Sequence, residues 1–167
     1  MDARAKLAGH SIHQMLIVFP LGLLATAVIF DLIYLLGGVS SWVTASWYMI
    51  AAGIVGGLLA AIFGLVDWLG IPSGSRAKRI GALHGIGNVV VVGLFLVSWL
   101  LRLGAYDHPS AVAFIFSYVG AGLALFTGWL GGELVERLGV GVDEGANVDA
   151  PSSLSGRPAA ERGRSAA

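Results

Sequence analysis

Four long runs of apolar residues dominate the chain and predict its secondary structure. Each run is about 20 residues long and contains at most one charged residue. At about 1.5 Å per residue, a helix of that length crosses a hydrocarbon core of roughly 30 Å. Because backbone polar groups in lipid must be bonded within their own segment, we predict helices at residues 12–36, 47–69, 80–102 and 111–134.

The composition agrees with a membrane protein and excludes a soluble globular enzyme. Hydrophobic residues make up 56% of the chain and charged residues 12%, whereas a soluble domain has about a quarter charged residues. The absence of cysteine excludes disulfides, thiolate metal ligands and cysteine-ligated iron–sulfur clusters. Residues 1–140 therefore form the predicted transmembrane domain, and the polar stretch 141–167 is predicted to be a disordered tail.

The basic residues orient the predicted helices. An even number of spans places both termini on one side, and short connections favour antiparallel neighbours, which gives an all-α, up-down-up-down four-helix bundle. The positive-inside rule then places the termini and the central loop in the cytoplasm. Arg102 is the single basic residue on the other side, against Arg4, Lys6, Arg76, Lys78, Arg79, Arg137, Arg157, Arg162 and Arg164.

Polar residues in or beside the spans fall at one level of the predicted bundle. Alternate helices run in opposite directions, so the starts of the first and third helices meet the ends of the second and fourth. Ionisable groups near a membrane core are costly and usually face the bundle interior. This predicted layer near the cytoplasmic face contains His10, His13, Asp67, His84, Asn88 and Glu133.

The spacing of these residues indicates two similar helical hairpins. His13 precedes Asp31 by the same 18 residues that separate His84 from Arg102. Gly56 and Gly122 precede Asp67 and Glu133 by 11 residues each, which is about three helical turns. A repeat of this kind predicts that His13 and His84 face each other across the bundle, with Asp67 and Glu133 on the other diagonal.

Two kinds of cofactor suit such a layer. Opposed His13 and His84 are typical of a b-type haem with two axial imidazoles, and the glycines of the second and fourth helices would make room for a porphyrin. A divalent metal ion is the alternative, with ligands drawn from His10, His13, Asp67, His84 and Glu133. In either case a carboxylate or Asn88 could instead orient a ligating histidine.

Other functions use the same residues without a cofactor. One alternative is a small proton or ion transporter in which the polar layer relays protons, and another is a structural or assembly subunit whose glycine faces pack on partner helices. The predicted partners are the lipid bilayer and either a redox protein or a second copy of the chain, and no nucleic-acid patch is present. An enzymatic activity of the chain by itself is not indicated.

A further ionic contact is predicted at the opposite boundary. Asp31 and Arg102 lie about 27 Å of helix beyond their respective histidines. We predict that they form an ion pair between the first and third helices, with two separately solvated residues as the alternative.

The stretch from Gly9 to Leu23, followed by Phe30, Asp31 and Leu32, resembles the opening of a bacterial membrane family filed as domain of unknown function 2231. Later pieces resemble it in the same order, and the resemblance covers about residues 9–142. The pieces are Gly64-Leu65-Val66-Asp67, His84 with Asn88, Arg102, and Gly128-Trp129-Leu130-Gly131-Gly132-Glu133-Leu134-Val135.

The resemblance implies a multi-pass protein of the bacterial inner membrane and no established activity. Some relatives are joined to Rieske-type iron–sulfur or cytochrome-like modules, which favours redox work. In that family a proline follows each of the first two histidines, whereas Ser11 and Gln14 take those places here. Because proline fixes a helix start, we expect the first helix to begin earlier here and to carry His10 and His13 on one face.

Overall fold

Helices make up most of the protein in the computed structural model, which describes residues 1–161. Four segments of this part are long and apolar enough to cross a membrane, namely Ile12–Gly37, Ser40–Gly70, Arg76–Leu101 and Ala111–Arg137. The elements are strands β1 (Lys6–Leu7) and β2 (His10–Ser11), helices α1 (Ile12–Leu16), α2 (Val18–Gly37), α3 (Ser40–Gly70), α4 (Arg76–Leu101) and α5 (Ala111–Gly132), a π-helical turn (Glu133–Arg137) and a 3-10 turn (Ser153–Ser155). The predicted mostly helical protein with four apolar spans is confirmed.

The first predicted helix is interrupted at Ile17, between α1 and α2. Pro20 lacks the N–H that would bond to the carbonyl of the residue four positions earlier, and this interrupts the helical ladder. The Oγ of Ser11 accepts a hydrogen bond from the Gln14 N–H at 3.5 Å and caps α1. The expected earlier helix start is therefore wrong, and His10 lies on strand β2 rather than on a helical face shared with His13.

The other helices extend beyond the apolar runs that predicted them. Helix α3 begins at Ser40 instead of residue 47, and α4 begins at Arg76 instead of residue 80. The Oγ of Ser75 accepts from the Lys78 N–H at 3.1 Å and caps α4. Hydrophobicity marks the lipid-crossing part of a helix, so polar turns at its ends do not appear in the apolar run.

The four long helices pack mainly as two pairs, α2 with α3 and α4 with α5, and α3 also contacts α4. Leu24 packs onto Gly53 in the first pair, and Phe95 packs onto Gly120 in the second. Phe95 follows Leu24 by 71 residues and Gly120 follows Gly53 by 67. Equivalent contacts at constant shifts are what the predicted repeat of two hairpins requires.

The outer surface of the helices is largely apolar. Only 11–28% of the residues in the most apolar window of each span are buried inside the protein. Large side chains such as Leu36 and Leu125 are 83% and 80% exposed. A surface of this kind is far larger than the apolar patches of soluble monomers and is suited to contact with lipid.

The N-terminal segment packs against the segment that follows α5. The amino group of Met1 donates to the carbonyl of Gly139 at 2.9 Å, and Gly141 donates back to Met1 at 2.9 Å. Lys6 forms an ion pair with Asp143, and this hydrogen bond raises the pKa of the Lys6 ammonium. The predicted disordered tail begins at residue 141, and its last part, 162–167, lies outside the described residues; its disorder stays a prediction.

Candidate functional site

His13 and His84 lie next to each other between the two helix pairs. His13 is carried by the short helix α1 and His84 by the first half of α4. Their ring centroids are 6.5 Å apart, and the ring planes are nearly perpendicular, at 88°. The predicted approach of these two histidines is present in the structure.

Each histidine is fixed by a hydrogen bond to a backbone carbonyl of the partner helix in its own pair. His13 Nδ1 lies 2.8 Å from the Ala60 oxygen in α3, and His84 Nδ1 lies 2.9 Å from the Thr127 oxygen in α5. A carbonyl oxygen only accepts hydrogen bonds, so Nδ1 carries the proton in both rings. In the neutral imidazole Nε2 then has a free lone pair, which is the form that binds metals.

A glycine lies one helical turn beyond each of these carbonyls and contacts the same ring. A Cβ added to Gly64 would lie 2.9 Å from Cε1 of His13, and one added to Gly131 would lie 3.1 Å from Cε1 of His84. Gly131 follows Gly64 by 67 residues, as Thr127 follows Ala60. The two histidines therefore occupy equivalent environments in the two hairpins. This 67-residue shift differs by one from the 66-residue shift that predicted Asp67 and Glu133 as equivalents.

Asn88 lies one turn after His84 and extends the contacts of this ring. Its Nδ2 donates to the His84 carbonyl at 2.9 Å and lies 3.3 Å from His84 Nε2. The hydroxyl of Thr127 donates to Asn88 Oδ1 at 3.1 Å. Asn88 thus connects His84 to α5 through its side chain, a position from which it orients the ring.

Asp67 is used by the N-terminal segment rather than by the histidines. Its Oδ1 accepts hydrogen bonds from the backbone N–H groups of Arg4 at 2.7 Å and Ala5 at 3.0 Å. Its Oδ2 accepts from the Ser11 hydroxyl at 3.3 Å. The carboxylate is almost completely buried, at 9% exposure, and it holds β1 and β2 against the end of α3.

The remaining predicted metal ligands also have other neighbours. Glu133 accepts a charged hydrogen bond from Arg76 at 2.8 Å, and the exposed His10 lies 3.1 Å from the Ala8 carbonyl. Within residues 1–161 no three His, Asp or Glu side chains lie close enough together to hold a metal ion. The predicted ligand set His10, His13, Asp67, His84 and Glu133 is therefore not assembled in the described part of the chain.

The glycines that were expected to make room for a porphyrin instead serve helix packing where they have neighbours. A Cβ at Gly56 would lie 3.1 Å from Phe19, and one at Gly57 would lie 3.1 Å from Val92. Gly122 is exposed and its missing Cβ has no atom within 4 Å. This expectation is wrong because small residues in membrane helices allow close backbone approach.

Asp31 and Arg102 form a buried, two-pronged ion pair between α2 and α4. The Arg102 Nη1 and Nη2 atoms donate to the two carboxylate oxygens at 2.8 and 2.6 Å, and both side chains have 0% exposure. The predicted ion pair is present, and solvated side chains are excluded by its burial. Such a pair is favourable only when its other polar atoms are also bonded.

Three serine hydroxyls complete this ion pair, and the sequence reasoning missed them. Ser46, Ser98 and Ser117 lie 3.3, 3.3 and 3.4 Å from the Arg102 guanidinium, and each is fully buried. Ser117 also donates to Asp31 at 3.2 Å. The spacing of Ser98 four residues before Arg102 places both on one helical face and was an available signal.

The fold and these contacts define an integral membrane protein with two buried polar centres. The chain belongs to the family of predicted membrane proteins DUF2231, whose model matches residues 9–144. This confirms the resemblance stated for the sequence. No curated protein and no solved structure matches the chain.

Proposed function

We propose that this protein is a membrane-embedded electron carrier in which His13 and His84 ligate one haem iron through their Nε2 atoms. The observation that carries the proposal is the matched pair of Nδ1 contacts to the Ala60 and Thr127 carbonyls, at 2.8 and 2.9 Å. Metal-ligating histidines almost always donate their other ring N–H in this way. It is the hydrogen bond that prepares Nε2 as the ligand atom.

The spacing of the rings supports a shared metal centre. Two imidazoles that each bind one ion at about 2.0–2.1 Å have ring centroids about 6 Å apart. The centroids of His13 and His84 are 6.5 Å apart. The pair thus meets the spacing requirement of axial ligands on opposite sides of one metal.

The number of donors favours haem iron over a bare ion. A structural or catalytic ion such as zinc takes at least three protein ligands, and no such group of His, Asp and Glu is assembled in residues 1–161. Haem iron needs axial ligands alone, because the macrocycle supplies the others. When bound, the haem would supply one-electron chemistry. The protein would supply the two imidazoles, their fixed orientation and the apolar surroundings.

The arrangement in the membrane is part of the proposal. We place the helices in an up-down-up-down order in the bacterial inner membrane with both termini in the cytoplasm. The bias of basic residues supports this orientation, and the contact of Met1 with Gly139 brings the two ends of the transmembrane domain together. A redox protein at the membrane surface, or a second copy of the chain, would exchange electrons with the site.

The experiment is a reduced-minus-oxidised absorption spectrum of the detergent-purified chain, with metal analysis of the same sample. We expect a b-type haem spectrum that is lost in His13→Ala and in His84→Ala. His10→Ala is the matched control, because His10 is an exposed histidine three positions from His13, and it should keep the spectrum. Stoichiometric metal without haem would replace the haem proposal by a bare-ion site. If neither binds after incubation with haemin and metals, the transporter and structural alternatives take its place.

A further inference from the structure

A crevice opens between α2 and α5 near the end of the bundle that carries Asp31 and Arg102. Its volume is about 490 Å³, within the range of about 300–1,000 Å³ that is usual for small-molecule sites. Both flanking helices belong to membrane-spanning segments, so a ligand would reach it from the lipid. The lining residues are Tyr34, Leu35, Pro109, Ala111, Phe114, Ile115 and Tyr118.

The lining combines flat aromatic surfaces with a single class of polar group. Tyr34 and Phe114 are stacked with ring centroids 5.9 Å apart. The hydroxyl of Tyr34 lies 3.4 Å from Nδ1 of His108. The hydroxyl of Tyr118 is buried and has no hydrogen-bond partner among the described residues. A buried hydroxyl without a partner is costly, and an acceptor on a ligand would remove that cost.

From these features we infer that the crevice binds the ring of a membrane-soluble quinone, with the Tyr118 hydroxyl donating to one of its carbonyl oxygens. A quinone is flat enough to lie against the aromatic lining, carries carbonyl acceptors and reaches the site through the lipid. The choice of a quinone over another flat lipid rests on the proposed electron-transfer function. A lipid acyl chain is the competing occupant, but it offers nothing to the Tyr118 hydroxyl.

The position of Tyr118 relative to the histidine pair agrees with this choice. Tyr118 precedes Thr127 by nine residues on α5, a rise of about 13 Å. The Thr127 carbonyl holds His84 at 2.9 Å. Of the crevice residues on α5, Tyr118 is therefore the one nearest along the helix to the His84 layer.

Photolabelling of the full chain in phospholipid nanodiscs with an azidoquinone tests the inference. We expect the label on residues 34–35 and 109–118, and we expect excess decylubiquinone to remove it. Decanoic acid, which has an alkyl tail of similar length but no quinone ring, should not compete. Ile115→Trp should abolish labelling because the indole fills the crevice, whereas Leu125→Trp, on an 80% exposed position of the same helix, should not.

Tyr118→Phe separates the hydrogen bond from the crevice shape. We expect the apparent affinity for decylubiquinone to fall about 2- to 10-fold, the value of one hydrogen bond. Labelling spread evenly over the lipid-facing residues, or competition by decanoic acid equal to that by decylubiquinone, would overturn the quinone site. A haem spectrum in a sample without competed labelling would overturn this inference alone. Competed labelling without haem would support the quinone site and overturn the haem proposal.

Discussion

The guanidinium of Arg102 contacts the carboxylate of Asp31 at 2.8 and 2.6 Å, and neither side chain has any exposed surface. The pair joins α2 to α4, so it connects the two hairpins at the end opposite to the histidines. Three serine hydroxyls bond to the guanidinium from α3, α4 and α5. All four long helices thus contribute to this one contact.

Removing one charge of this pair should destabilise the protein strongly. Asp31→Asn leaves the buried Arg102 without a counter-charge, and such changes cost about 3–5 kcal/mol. The unfolding of the detergent-solubilised variant by denaturant, followed by tryptophan fluorescence, measures the loss. Arg79→Met is the control, because Arg79 is exposed and its removal should change stability little.

The double variant Asp31→Leu with Arg102→Met should be more stable than either single variant, because no uncompensated charge stays buried. Equal stability of Asp31→Asn and the unmodified chain would show that the pair does not hold the bundle together.

The glycines beside the histidines should control how the rings are placed. Gly64→Ala puts a Cβ at 2.9 Å from His13, closer than ordinary contacts allow, and Gly131→Ala puts one at 3.1 Å from His84. We expect both to lower the haem content of the purified protein, with Gly64→Ala lowering it more. Gly128→Ala has no atom within 4 Å of the new Cβ and serves as the control. Unchanged haem content in both variants would mean that the rings do not have to keep their present positions.

Asp67 should matter for the N-terminal segment and not for the haem. Asp67→Asn weakens the charged hydrogen bonds from Arg4, Ala5 and Ser11, each worth about 1.5–3 kcal/mol when intact. We expect faster amide hydrogen exchange over residues 1–11 and an unchanged haem spectrum. Asp107→Asn, in an exposed turn, should alter neither. Loss of haem in Asp67→Asn comparable to that in His84→Ala would make the carboxylate part of the cofactor site after all.

The absence of native cysteine allows the orientation to be tested by single substitutions. Ser73→Cys and Ser152→Cys should react with a membrane-impermeant maleimide only when the cytoplasmic side is open. Ser41→Cys and Ser110→Cys should react in intact spheroplasts. All four positions are exposed, so accessibility to reagent does not differ among them for other reasons. The reverse labelling pattern would invert the proposed topology.

The four spans, the histidine pair and the ion pair could be predicted because they follow from long-range regularities of the sequence. Apolar runs of about 20 residues specify spans, and antiparallel order brings helix starts next to helix ends. The common spacing of 18 residues from His13 to Asp31 and from His84 to Arg102 places both pairs at matching levels. These arguments need no knowledge of side-chain packing.

The carboxylates could not be placed because their partners are set by local competition. Asp67 lies at the level of the histidines by spacing, but nearby backbone N–H groups of Arg4 and Ala5 bond to it. Glu133 pairs with Arg76 across the same end of the bundle. The glycine positions misled for a related reason, since a missing Cβ allows close helix contact as readily as a cavity.

The most direct test of the central claim is the electron paramagnetic resonance spectrum of the oxidised, haem-loaded protein. Two imidazoles binding one iron through Nε2 with ring planes at 88° predict a low-spin ferric signal of high anisotropy. His13→Ala or His84→Ala should convert it to a high-spin signal or remove the haem, while His10→Ala should leave it unchanged. A high-spin signal in the unmodified protein, or a low-spin signal that persists in both alanine variants, would contradict ligation by His13 and His84.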